Sequence, residues 1–122
     1  MCPSILNADH SKLQFEIDRV AIDSDYLHLD VMDNIFVPNL TFSLDESRSI
    51  IEASPIPVDA HLMINNPDSD AVKYAKGGAA NVTFHIEASE DPLLKGDLRT
   101  TWNHRGLCSW WRASGGNVRL WR

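Results

Sequence analysis

Two histidines and an aspartate set the chemical question. His28 and Asp30 stand two residues apart in the run Tyr26–Met32, YLHLDVM. A strand repeats every two residues, so both side chains would project from one face. His61 lies in a second alternating run, Pro57–Ile64, PVDAHLMI. If the two strands are parallel neighbours, two imidazoles and a carboxylate converge. That is a donor set for a divalent first-row cation. A strand histidine is more often a half-buried, hydrogen-bonded residue, so the three residues alone leave both readings open. Asp59 points elsewhere or caps a neighbouring element, and Asp33 closes a turn.

The elements that must position these residues can be read from periodicity. Pro3–Leu6 is a short apolar strand that runs into Asn7-Ala8-Asp9. Asp9 or Ser11 then caps a helix whose apolar face is Leu13, Ile17, Val20 and Ala21. Asp33–Phe42, with Pro38 and Asn39, is a loop, and Leu44–Ala53 is a helix ended by Ser54-Pro55. Asn66-Pro67 opens a further helix packed through Ala71, Tyr74 and Ala75, and Gly77-Gly78 stops it. Ala80–Ile86 is the next strand, followed by Glu87. Alternating strands and helices predict a parallel α/β sheet with right-handed crossovers. An open parallel sheet is usually apolar on both faces, whereas YLHLDVM alternates polar and apolar. The alternation suits a barrel whose strands carry chemistry toward their C-terminal ends.

Composition limits the function classes. The chain has 122 residues, 43% hydrophobic and 23% charged, with a net charge of −6. That is one soluble domain's worth of sequence, and its acidity argues against nucleic-acid binding. No apolar run nears the ~20 residues of a membrane span, and the N-terminus lacks the pattern of a secretory signal. Two cysteines, Cys2 and Cys108, give no disulfide framework, which points to a reducing cytoplasm. The average conceals a break near Pro92. Residues 1–92 carry five Lys/Arg and sixteen Asp/Glu; residues 93–122 carry six Lys/Arg and one Asp, together with all four Trp. We therefore expect a domain over 1–92 and an irregular basic, Trp/Arg-rich tail over 93–122, in which Gly96, Gly106 and Gly115-Gly116 break every candidate element. The abruptness suggests a change of reading frame near 92–98.

Four blocks of the sequence resemble ribulose-phosphate 3-epimerase in order and spacing: PSILNAD (3–9), YLHLDVMDNIFVPNLTF (26–42), VDAHLMI (58–64) and VTFHIEA (82–88). The resemblance covers residues 1 to about 92. It implies a (β/α)8 TIM barrel that interconverts D-ribulose 5-phosphate and D-xylulose 5-phosphate at C3, in the pentose phosphate pathway. By the same resemblance, His28, Asp30 and His61 are metal ligands; two histidines and an aspartate accept zinc, iron, manganese or cobalt, and affinity order alone does not choose among them. Asp30 is also one of two acid/base carboxylates, while Ser4, His61, Met32 and Met63 lie at the substrate. Taken without the resemblance, Ser4 reads as a turn hydroxyl and the methionines as core filler. His85 and Glu87 end the last strand, where barrel residues often face the site. Asn34-Ile35 and Ser43 depart from the family pattern, Ser43 replacing a usual glycine.

A full barrel needs eight strands and about 250 residues; this chain supplies four strands. The resemblance assigns the second acid/base aspartate and the phosphate-binding glycine loops to the other half. The expectation is a partial barrel of about four βα units, with weakened cation binding, little activity and a tendency to self-pair or aggregate. Two alternatives remain: an epimerase of a related ketose phosphate such as allulose 6-phosphate, or a non-catalytic metal-binding or oligomerising half-barrel. The expected partner is a small sugar phosphate, with a homo-oligomer allowed and no nucleic acid or membrane.

Overall fold

The computed structural model describes residues 1–90, 98–102 and 107–112. Its centre is three parallel strands, β1 (Leu27–Met32), β2 (Val58–Met63) and β3 (Asn81–His85), joined through helices. Helix α1 (Leu13–Ala21) precedes β1, α2 (Leu44–Ala53) links β1 to β2, and α3 (Pro67–Lys76) links β2 to β3. These are consecutive α/β crossover units, as the alternation predicts.

Local chemistry explains the elements. Asp9 accepts from the Ser11 amide and caps a 3-10 turn, His10–Lys12, that leads into α1, so the expected cap acts one element earlier. Helix α2 begins at a reciprocal cap. Ser43 Oγ accepts from the Glu46 amide at 3.2 Å, and Glu46 Oε2 accepts from the Ser43 amide at 2.7 Å. This satisfies two otherwise orphaned donors and gives the departure at Ser43 a structural reason. Pro67 opens α3, with Asp68 and Asp70 in its first turn and Lys73 and Lys76 in its last, each placed well against the helix dipole. Gly78 ends it at φ +103°, a conformation that a side chain would strain.

Each strand then sorts its residues by parity. Leu27, Leu29 and Val31, Val58, Ala60 and Leu62, and Val82 and Phe84 are all buried in one core with Ile17, Ile50, Ile51, Ala71 and Tyr74 from the helices. The opposite face carries His28, Asp30 and Met32; Asp59, His61 and Met63; and Asn81, Thr83 and His85. The apolar face is thus covered by helices, and the polar face is left for chemistry.

Two expectations need correction. Pro3–Leu6 is not a full strand: it makes one parallel bridge, Ser4 to His28, with His28 N donating to Pro3 O and Ile5 N to His28 O. The proline and the immediate turn at Ala8, whose amide bonds Ile5 O, leave too little chain for a ladder. The tail is also not wholly irregular. Strands β4 (Leu98–Trp102) and β5 (Leu107–Arg112) pair antiparallel, and β5 pairs antiparallel with β3, giving the order β1-β2-β3-β5-β4. Their β-branched and aromatic residues favour extended backbone, a signal that the glycine count obscured. Gly96, Gly106 and Gly115-Gly116 fall outside the described residues.

The outer border of β1 is also held. Thr41 Oγ1 donates to Asp30 O at 2.8 Å and accepts from Met32 N at 2.9 Å, while Thr41 N donates to Met32 O at 3.2 Å.

Candidate functional site

The register lays the polar face out in rows. His28 is level with Asp59, and Asp59 with Asn81; Asp30 is level with His61, and Met32 with Met63. Same-face side chains on level positions stand close enough to bond. His28, Asp30 and His61 each offer a ligand atom, and these atoms all lie within 4.8 Å of one another. His28 Nε2 is 3.2 Å and His61 Nδ1 is 3.4 Å from Asp30 Oδ1. Ser4 Oγ donates to Asp30 Oδ2 at 2.6 Å. Two nitrogens and one oxygen at this spacing could hold a divalent metal ion.

The electrostatics agree with that donor set. Burial works against the charge on Asp30, but hydrogen bonds from His28, His61 and Ser4 outweigh it and hold the carboxyl well below its ordinary range. His28 is pushed up to about 10 by its bonds to Asp30 and then Asp59, against the opposing effect of burial. In a cation-free chain the imidazole therefore holds a proton where a cation would otherwise supply positive charge. Burial and the nearby His61 lower His85, favouring its neutral form. Burial and Asp59 push the Cys2 thiol up to about 11, so it stays protonated at neutral pH even though it lies within reach of His28 and Asp59.

The remaining expected residues separate. Ser4 is at the cluster. Met32 and Met63 share its face and are half-buried one level along the strands. Glu87 is exposed on the 3-10 turn after β3, outside the cluster. His85 reaches it indirectly: its Nε2 lies 3.1 Å from Nε2 of His61. Asp33 closes a turn as expected, Oδ1 accepting from the Ile35 and Phe36 amides, and Oδ2 also ties in the Asn65 amide at 2.7 Å. Asn34 sits at φ 59°, a region that asparagine tolerates better than most residues.

Three contributors escaped the sequence reading. Asp59 does not point away but bonds His28 Nδ1 at 3.0 Å; Asn81 Nδ2 bonds Asp59 at 2.7 Å; and Thr41 holds the main chain of Asp30. The period-two alternation already placed Asp59 on the face of His61. Its partner required the inter-strand register, which one sequence does not state.

Comparison with known proteins gives a consistent outcome. Residues 1–96 match a family profile described as the ribulose-phosphate 3 epimerase family. A protein of Mycobacterium leprae named ribulose-phosphate 3-epimerase is 50% identical over 108 residues, covering 88% of this chain and 48% of that protein. A Mycobacterium tuberculosis protein of the same name is 46% identical over 108 residues, covering 88% of this chain and 47% of its own length. An Oryza sativa protein named as the cytoplasmic isoform is 42% identical over 92 residues, covering 75% of this chain and 40% of its own length. The chain thus spans about half the length of the curated relatives it matches. No helix among the described residues is long and apolar enough to cross a membrane.

Proposed function

The chain belongs to the ribulose-phosphate 3-epimerase family, and from that premise we propose that its polar sheet face is the cation-holding half of an epimerase site. The observation that carries this reading is the convergence of His28, Asp30 and His61 within 4.8 Å in a chain of this family. On this reading β1–β3 and their helices are part of a (β/α)8 barrel, the substrate is a ketose phosphate of the D-ribulose 5-phosphate class, and the setting is cytoplasmic.

His28 Nε2, Asp30 and His61 Nδ1 would hold a divalent cation. When bound, it supplies fixed positive charge beside the substrate oxygens and so acidifies the adjacent C3–H. Asp30 accepts the C3 proton. Its carboxylate is a weak base because His28, His61 and Ser4 stabilise its charge, so the transfer depends on that acidification. Ser4, bonded to Asp30, keeps the second carboxylate oxygen occupied and aimed. Met32 and Met63 flank the face as an apolar border for the sugar.

Inversion needs a proton removed on one side and returned on the other. Among the described residues, Asp30 is the carboxylate of the cation cluster, and Asp59 is engaged by His28 and Asn81. We therefore propose that the 122-residue chain alone binds the cation and exchanges the C3 proton but inverts poorly. The test is to incubate cation-loaded chain with ribulose 5-phosphate in deuterium oxide. Deuterium should enter C3 with little xylulose 5-phosphate formed, and Asp30→Asn should abolish the exchange. No exchange above buffer, or equal exchange by Asp30→Asn, refutes the assignment; rapid xylulose 5-phosphate formation refutes the impairment.

A further inference from the structure

The row His28–Asp59–Asn81 crosses three adjacent strands on one face. Asn81 Nδ2 donates to Asp59 Oδ1 at 2.7 Å, and Asp59 Oδ2 lies 3.0 Å from His28 Nδ1. Asp59 is buried, and an ionised carboxylate offers only lone pairs. The nitrogen facing it must carry the hydrogen. The other ring nitrogen, Nε2, is the one 3.2 Å from Asp30 Oδ1, on the side of the cation cluster. His61 is held differently. Its distal nitrogen meets another imidazole, His85, which can either give or take a hydrogen. On the side turned away from the cation cluster, His28 meets a carboxylate, whereas His61 meets only another imidazole.

We propose that Asp59 and Asn81 act as a positioning pair: Asn81 orients the Asp59 carboxylate, and Asp59 keeps a proton on His28 Nδ1, reserving Nε2 as the lone pair offered to the cation. A carboxylate behind a ligating imidazole fixes both ring orientation and tautomer and raises the ligand's basicity. This rests on the cation reading above. Asp59 touches neither cation nor substrate and acts through His28. Asn81 acts one step further back, from a different strand, so the pair joins all three strands of the face to a single ring.

The test uses the full chain, zinc, and nitrogen-15 imidazole spectra. In the wild type, a slowly exchanging, hydrogen-bonded Nδ1–H resonance of His28 should appear with and without zinc. In Asp59→Leu that resonance should vanish, and zinc affinity should fall by about 10- to 100-fold. The exchanged pair Asp59→Asn with Asn81→Asp is the discriminating variant. The carboxylate then at position 81 can only accept, so it draws the amide nitrogen now at position 59 and turns that amide's oxygen toward His28. The resonance should persist and affinity should recover most of the loss, an outcome that merely filling space cannot give. An Asp59→Leu chain whose zinc affinity stays within about twofold of wild type overturns the proposal. So does an exchanged pair without the Nδ1–H resonance. If Asp59→Leu does not fold, the exchanged pair decides alone. If zinc fails to bind the wild type, the cation reading fails, and whether Asp59→Leu abolishes the slowly exchanging, hydrogen-bonded Nδ1–H resonance in the zinc-free chain still decides whether Asp59 holds that nitrogen.

Discussion

Replacing Asp30 with asparagine in the cation-free chain should uncouple the cluster in a measurable way. Asp30 Oδ1 faces His28 Nε2 at 3.2 Å and His61 Nδ1 at 3.4 Å. His28 stands at about 10 chiefly because of Asp30, with Asp59 the next cause. A hydrogen bond to a charged partner contributes about 1.5–3 kcal/mol, and one pH unit corresponds to about 1.4 kcal/mol. Asp30→Asn should therefore lower the His28 midpoint by roughly one to two pH units, with Asp59 keeping it above the ordinary value. The stability consequence has a definite sign. His28 has a raised folded-state value, so its contribution is fully present below pH 6.5 and is lost as pH rises through about 10. Chelator-treated wild type should lose thermal stability across that window, and the Asn variant should lose less, at lower pH. Proton NMR of the His28 ring and melting curves at matched pH provide the assay. A His28 midpoint still near 10 in Asp30→Asn, or a wild-type stability that is flat across the window, would refute the coupling.

Other expected outcomes follow from the scaffold. Ser43→Ala breaks the reciprocal cap of α2 and should cost about 1 kcal/mol, a fall of about 4–8 °C in melting temperature. Leu29→Ala empties a site with 0% exposure and should cost about 2–5 kcal/mol in urea unfolding. Gly78→Ala has room for the added carbon but forces it onto φ +103°, so differential scanning should show a loss of about 1–3 kcal/mol. Burial opposes the charge on Asp33, yet amide bonds from Asn65, Phe36 and Ile35 lower its carboxyl, so its stabilising effect is lost as pH falls. Acid should therefore speed pepsin cleavage within residues 34–40 of the wild type, whereas Asp33→Ala should be cut readily at every pH tested.

Periodicity exposed what is repetitive in this fold and hid what is relational. Helix α2 is read from the sequence with its observed limits, because Ser54-Pro55 terminates it and its apolar residues recur with the helical period. Strands β1 and β2 are legible from alternation, which also places His28, Asp30 and His61 on one face. Pro3–Leu6 misleads, since an apolar tetrapeptide reads as a strand whether or not it has length to pair. The partnership of Asp59 with His28 is invisible for another reason: it depends on which residues two strands place level, a property of the pair of strands. Thr41 is harder still, a loop hydroxyl that substitutes for strand bonding, with nothing local to distinguish it from any other polar loop residue.

The threonine clasp has a consequence for assembly. On a parallel strand, alternate residues turn both main-chain groups toward the same border, and on β1 those at 28, 30 and 32 are met by Pro3, Ile5 and Thr41. A foreign peptide seeking a template for cross-β growth finds His28 N and O, Asp30 O, and Met32 N and O on that margin already bonded. Lateral enlargement of the sheet at this margin would have to displace Pro3, Ile5 and Thr41 first, so the segment bearing Asp30 is shielded from polymerising contacts by one loop threonine and two residues near the N-terminus.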